Sequence, residues 1–146
     1  MTPPTIWTIG YEQATIDAVI GALADAGVEV QADIRYLPLS RRPGFSKSAL
    51  GAAAREAGII YQHIKALGTP AEGRAAARRG DHARLAQVYA GALELPEALA
   101  AMAQLKELAG EKRVALLCYE RAAHECHRSL LIKALLPDFA TVDLKP

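Results

Sequence analysis

The sequence predicts an α/β fold: one three-layer domain over residues 1–146, with a mostly parallel sheet of about five strands and helices on both faces. Three observations lead there. Short β-branched or aliphatic runs alternate with segments whose apolar residues recur at helical spacing. Strands separated by helices imply crossover connections, and hence parallel pairing with both faces covered. The 146 residues, 51% hydrophobic and 23% charged, suffice for one sizeable core and leave little room for a second domain.

The elements follow in order. Thr5-Ile-Trp-Thr-Ile-Gly10 is short, β-branched and closed by glycine, as a buried strand is. Thr15 suits the N-cap of a helix carrying Ile16, Val19, Ile20 and Leu23 on one face, with Gly27 as its stop. A second strand, about Val28 to Ile34, delivers Asp33 and Arg35 at its carboxyl end. Phe45, Ser46 and Leu50 have the spacing of a hydrophobic staple around an N-cap, opening a helix that ends near Gly58. Ile59 to His63 reads as a third strand. Leu67-Gly-Thr-Pro70, with Glu72, Gly73 and Arg74 after it, reads as a turn-rich loop able to close over a ligand as a lid. From Asp81 a helix places Leu85, Val88, Ala92 and Leu95 together, and Pro96 restarts it to about Ala109. Arg113-Val-Ala-Leu-Leu-Cys118 is the clearest core strand; a last helix gathers Leu130, Leu131, Ala134 and Leu135, and Phe139 to Leu144 suits an edge strand.

Composition excludes several classes. Seventeen basic against 16 acidic residues give a net charge of +1, which disfavours a general polyanion binder. Two cysteines are too few for a disulfide scaffold. No run approaches the roughly 20 apolar residues of a membrane span, and no targeting segment is visible, so no membrane partner and a reducing cytoplasm are expected.

In open α/β sheets ligands bind beyond the carboxyl ends of the strands. The unusual polar residues fall there: Tyr11, Glu12, Asp33, Arg35, His63, Cys118 and Glu120. Between Asp33 and Glu56 lie five basic residues (Arg35, Arg41, Arg42, Lys47, Arg55) and no acidic one. Guanidinium groups suit bidentate contact with phosphate or carboxylate, and the helix amino end near Ser46 offers further N–H donors. The alternative is a solvated loop with Asp33 and Arg35 as a structural ion pair. A second constellation is Cys118-Tyr-Glu120-Arg121-Ala-Ala-His124-Glu-Cys126-His127-Arg128, between strand and helix. A cysteine at a helix amino end beside His127 and Arg128 has its thiolate favoured, which suits a nucleophile, with Glu120 as an acid/base or orienting group. Two alternatives stand beside it. Cys118 ends an apolar run and suits a plain core position, and Cys118, Cys126 and His124 or His127 together could ligate zinc, though not in a standard finger spacing.

Taken together, these segments resemble the family called domain of unknown function 488. The resemblance rests on Thr8-Ile-Gly-Tyr11, Asp33-Ile-Arg35 with Pro38 and Ser40-Arg41-Arg42, Phe45-Ser-Lys47, Tyr61-Gln-His63, Leu67-Gly-Thr-Pro70, Leu117-Cys-Tyr-Glu120 and Cys126-His-Arg128. It runs from about Thr5 to Val142, with Ala123 where members commonly carry proline. The resemblance implies an α/β fold, draws attention to Arg35, Glu120, Cys126, His127 and Arg128, and implies no particular activity. Similarity to the cysteine phosphatases fails, because the arginine expected six residues after the cysteine is His124 after Cys118 and Ile132 after Cys126.

The favoured expectation is therefore an anion-binding cleft at the strand ends. Arg35, Arg41, Arg42 and Arg128, with Tyr11, His63 and Cys118, would line it for a phosphate- or carboxylate-bearing small molecule. Cys126, His127 and Glu120 would supply any chemistry, with transfer or hydrolysis as its class. The alternatives are a non-catalytic nucleic-acid-associated module, which is less favoured, and a Cys/His metal-binding protein. The sequence specifies neither a cofactor nor an oligomeric state.

Overall fold

The computed structural model describes residues 3–122 and 126–146. The strands are β1 (Thr5–Gly10), β2 (Val30–Asp33), β3 (Ile60–His63), β4 (Val114–Cys118) and β5 (Ala140–Leu144); the helices are α1 (Ile16–Asp25), α2 (Lys47–Glu56), α3 (Ala71–Arg78), α4 (His82–Ala92), α5 (Pro96–Glu111) and α6 (His127–Leu135). The strands form one sheet in the order β3-β2-β4-β1-β5, and every pairing is parallel.

Strand composition explains strand position. β4 lies between β2 and β1, and all five of its residues, Val-Ala-Leu-Leu-Cys, are buried. Its side chains divide between two cores with the period of two that a pleated strand imposes. Val114 and Leu116 join Val30, Ala32, Leu105 and Leu131 on one face, under α4, α5 and α6. Ala115 and Leu117 join Val19, Leu23, Leu50 and Ala54 on the other, under α1 and α2. Helices thus cover both faces, the expected three layers. β3 and β5 take the edges, where Ile60 and Val142 are exposed.

This topology opens a crevice. β4 continues into α6 on one face, whereas its neighbours β1 and β2 continue into α1 and α2 on the other. The connections diverge at the carboxyl ends of three adjacent strands, the arrangement that forms ligand clefts in parallel sheets.

Local signals behave as expected at α1, where the Thr15 hydroxyl oxygen accepts from the Ala18 amide at 3.1 Å. Two local readings change. The supposed lid is a short 3-10 turn (Lys65–Leu67) followed by α3, because Pro70 stands at the helix entrance and alanine-rich Ala71–Arg78 has high helix propensity. Gly73 suggested a break, but it is buried within that helix. At α2, Ser46 occupies the N-cap position, yet its hydroxyl accepts from the Ser40 amide at 3.2 Å. The Lys47 amide, expected to be open for an anion, donates to the Pro38 carbonyl at 2.8 Å.

Candidate functional site

Cys118 is the last residue of β4, and Cys126 is the N-cap of α6. Each thus projects from a rigid element, and their sulfurs meet at 2.6 Å. Cys126 Sγ accepts from the Arg128 backbone amide at 3.3 Å and from Arg128 Nε at 3.0 Å. The same guanidinium donates through Nη2 to the Glu120 carbonyl oxygen. His127 donates through Nε2 to the Ile34 carbonyl at 2.7 Å, and Tyr89 packs edge-on against its ring. The Glu120 carboxylate lies 3.5 Å from Cys118 Sγ, as acceptor for that thiol.

The charges in this cluster follow from burial. Arg128 is 0% exposed, and among the described residues it forms no ion pair with a carboxylate. A buried guanidinium needs a counter-charge, and the sulfur at 3.0 Å is the anion available. Burial alone would raise the Cys126 thiol; hydrogen bonds from Cys118 and His127 and the charges of His127 and Arg128 outweigh it and hold Cys126 well below an ordinary thiol. Cys118 moves the other way, pushed up by burial and then by the neighbouring Cys126 sulfur. Burial, followed by the Cys126 charge, raises the Glu120 carboxyl. Burial lowers the His127 imidazolium, but its bond to Cys126 and the charge there raise it overall. These directions favour the thiolate at Cys126, beside the His127 ring and the Arg128 guanidinium, and the protonated thiol at Cys118.

Two close approaches hold this geometry. A Cβ on Gly10, at the end of β1, would lie 1.8 Å from the Glu120 carbonyl oxygen, so only glycine lets the chain beyond β4 cross there. A Cβ on Gly68 would lie 2.3 Å from the Tyr36 nitrogen, which fixes the segment before α3 against the one after β2.

Cys118, Glu120, Cys126 and His127 line a cleft of about 650 Å³, together with Tyr11 and Arg35 from the ends of β1 and β2. Arg35 is 6% exposed and its donors are mostly occupied: Nε and Nη2 bind Asp33 at 2.8 and 2.7 Å, and Nη1 binds the Phe45 carbonyl at 2.6 Å and the Tyr11 hydroxyl at 3.2 Å. Burial opposes its charge, but the Asp33 bonds outweigh this and raise Arg35 further. Tyr61 also donates to Asp33, and burial followed by that bond raises its hydroxyl. The structural ion pair weighed as an alternative for Asp33 and Arg35 is therefore present.

The structure does not bring all the candidate arginines into the cleft. Arg41 is exposed and outside its lining. Arg42 turns to the Tyr11 and Ala14 carbonyls at 3.3 and 2.5 Å, closing the turn before α1. Arg128 lies behind Cys126 rather than on the cleft wall. His63 donates through Nε2 to the Arg35 carbonyl at 2.8 Å and supports the loop from outside. His124, the alternative zinc ligand, and Ala123 lie outside the described residues.

Among the described residues, the cations of the cleft that form no ion pair come instead from α3. Arg74 and Arg78, four residues apart on one helix face, both line it. Arg74 stacks over the Tyr36 ring at 5.5 Å, and its Nε is buried with no partner among the described residues. The Thr69 hydroxyl, on a residue 3% exposed, is equally unpartnered and also lines the cleft. The sequence places Arg74 in a segment able to close over a ligand; what it leaves out is the helix, whose i, i+4 spacing sets Arg74 and Arg78 on one face.

Cys118, Cys126 and His127 each place a donor atom within 4.8 Å of the others, the beginnings of a metal set. Their spacing fits thiol chemistry better. A tetrahedral zinc at about 2.3 Å from each sulfur holds two thiolates roughly 3.7 Å apart, well beyond 2.6 Å. The Arg128 guanidinium against Cys126 also repels a cation.

No curated protein and no solved structure matches the chain. The family model described as domain of unknown function DUF488 matches residues 15–135, which span α1 through α6 and both cysteines, and the chain belongs to that family.

Proposed function

We propose that the chain is an enzyme that transfers or hydrolyses a group on a phosphate- or carboxylate-bearing small molecule, with Cys126 as nucleophile. One observation carries the reading: a buried cysteine sulfur hydrogen-bonded by a buried arginine, at the wall of a cleft that also holds two polar groups unpartnered among the described residues. Arg74 and Arg78 would hold the anionic part of the substrate, with the Thr69 hydroxyl as a further donor. The Cys126 sulfur would form a bond to the electrophilic carbon or phosphorus. Glu120, kept protonated to higher pH than a solvated carboxyl, would give its proton to the leaving group, and water would then cleave the thioester or thiophosphate. Arg128 and His127 hold the thiolate, while Arg35 positions Tyr11 rather than offering free charge.

The test is turnover of nitrophenyl phosphate and nitrophenyl acetate by wild type and Cys126→Ser, with the shift in Tm caused by inorganic phosphate measured alongside. Loss of turnover with retained phosphate binding supports the assignment. Unchanged turnover in Cys126→Ser eliminates the nucleophile. A second reading, a metal-binding protein, is favoured by the three clustered donors. It requires the two sulfurs to separate, and stoichiometric zinc in protein purified without a metal-affinity tag would establish it.

A further inference from the structure

We infer that Cys118 and Cys126 form a peroxide-responsive redox pair, in which Cys126 is oxidised and Cys118 resolves it to a reversible disulfide. The sulfurs touch at 2.6 Å from two rigid elements, so joining them requires closure by only about half an ångström to the bonded distance near 2.05 Å. The pair is asymmetric, as attacking and resolving thiols are. Cys126 receives two hydrogen bonds from Arg128, whereas Cys118 sits against Cys126 and the Glu120 carboxylate. Both sulfurs are nearly buried yet line the cleft, which is wide enough to admit a small oxidant and, in turn, a small dithiol. The inference shares the Cys126 thiolate with the proposed function, but it does not depend on the substrate.

The chemistry balances with a hydroperoxide as oxidant. The Cys126 thiolate attacks the peroxide, forming an S–O bond and breaking the O–O bond, and the leaving oxygen takes a proton from the His127 imidazolium and departs as water or an alcohol. Sulfur loses two electrons and becomes a sulfenic acid. Cys118 then attacks the Cys126 sulfur, its thiol proton passing to one oxygen of the Glu120 carboxyl as the other oxygen releases a proton. The S–S bond forms, the S–O bond breaks, and hydroxide leaves as water with the proton from Glu120. A dithiol reverses the sequence. Oxidation would remove the nucleophile and leave the Arg128 guanidinium without its counter-charge, so the oxidised chain should also unfold more easily.

The full chain is treated with equimolar hydrogen peroxide, alkylated with iodoacetamide under denaturing conditions, and weighed intact. Wild type should lose the mass of two hydrogens, resist alkylation at both cysteines, and recover fully in dithiothreitol. Cys118→Ala, and Cys118→Ser should the first fold poorly, should instead gain oxygen on Cys126 that dithiothreitol only partly removes. Oxygen adducts accumulating on wild type as they do on the variant would overturn the pairing, as would two alkylatable thiols after peroxide. A parallel alkylation of the native, unoxidised chain near pH 6 separates the two ideas. Slow reaction at Cys126 removes the thiolate on which both rest, whereas fast reaction without disulfide removes the redox pair alone.

Discussion

Gly10→Ala connects the fold to the reactive cluster through a single methyl group. The added carbon would sit 1.8 Å from the Glu120 carbonyl oxygen, 2.5 Å from its carbon and 2.9 Å from the Arg121 Cα. All three are backbone atoms, so no side chain can rotate away, and the segment after β4 must withdraw by more than about 1 Å to reach ordinary contact. That carbonyl accepts from Arg128 Nη2, and the Glu120 side chain reaches Cys118. Overpacking costs about 1–3 kcal/mol. A weakened hydrogen bond to a buried guanidinium adds about 1–3 kcal/mol. Against a domain stability of about 5–15 kcal/mol the variant stays folded, with a urea midpoint lower by about 1–3 M at ordinary slopes. Once Arg128 shifts, Cys126 loses its guanidinium donor and moves toward an ordinary thiol. At pH 6 such a thiol is well under 1% ionised, so alkylation by iodoacetamide should slow by up to about 100-fold. Gly91→Ala is the control, because a Cβ there meets nothing within 4 Å and the site lies in α4. A Gly10→Ala protein with wild-type urea midpoint and wild-type alkylation rate would refute the coupling between β1 and the cysteine cluster.

Other outcomes follow from the same geometry. Asp33→Asn leaves the Arg35 guanidinium buried against a neutral amide, and should cost about 3–5 kcal/mol in urea denaturation, with part recovered in the double variant with Arg35→Met. Glu120→Gln tests the raised carboxyl through pH. In wild type the folded state holds that proton more tightly than the unfolded chain does, so the stabilisation is present at low pH and disappears as pH rises through the folded value. Glutamine has no such loss, so the variant should gain in Tm relative to wild type as pH rises above the ordinary carboxylate range, and a constant difference would contradict the burial of Glu120. Arg74→Ala should weaken phosphate binding by about tenfold, measured by calorimetry, since it removes a guanidinium with an unpartnered Nε from the cleft. Titration of wild type with single-stranded DNA at rising salt checks the nucleic-acid alternative: weak, non-saturating binding is expected, and tight binding with a steep salt slope would favour that alternative.

Most of the fold was legible because strands and helices here advertise themselves locally. The β4 run Val114–Cys118 could be recognised as central from its unbroken apolar character, since a strand buried on both faces has no solvent side to make polar. Thr15 marked its helix by the same hydroxyl that accepts the Ala18 amide. The α3 segment was misread because Gly68, Pro70 and Gly73 each signal a turn in isolation. Only packing against Thr69 and Val88 of α4 decides that Gly73 stays helical and buried. The site was legible as a neighbourhood and not as an arrangement of charges. Five basic residues without an acidic one between Asp33 and Glu56 suggested free cations. Yet Arg35 closes on Asp33, and Arg42 on two carbonyls.

By itself the sequence determined the class of fold and the strand ends where polar residues collect, because both depend on periodicity and on short-range turn chemistry. Which guanidinium lines the cleft, which one is buried behind a sulfur, and which of two cysteines has its thiolate favoured are decided only in three dimensions. Cys118 and Cys126 are chemically identical residues eight positions apart. They differ because one ends an interior strand against a carboxylate, while the other caps a helix where Arg128 and His127 converge. Electrostatic environment is a property of neighbours brought together by folding, and no local pattern along the chain encodes it.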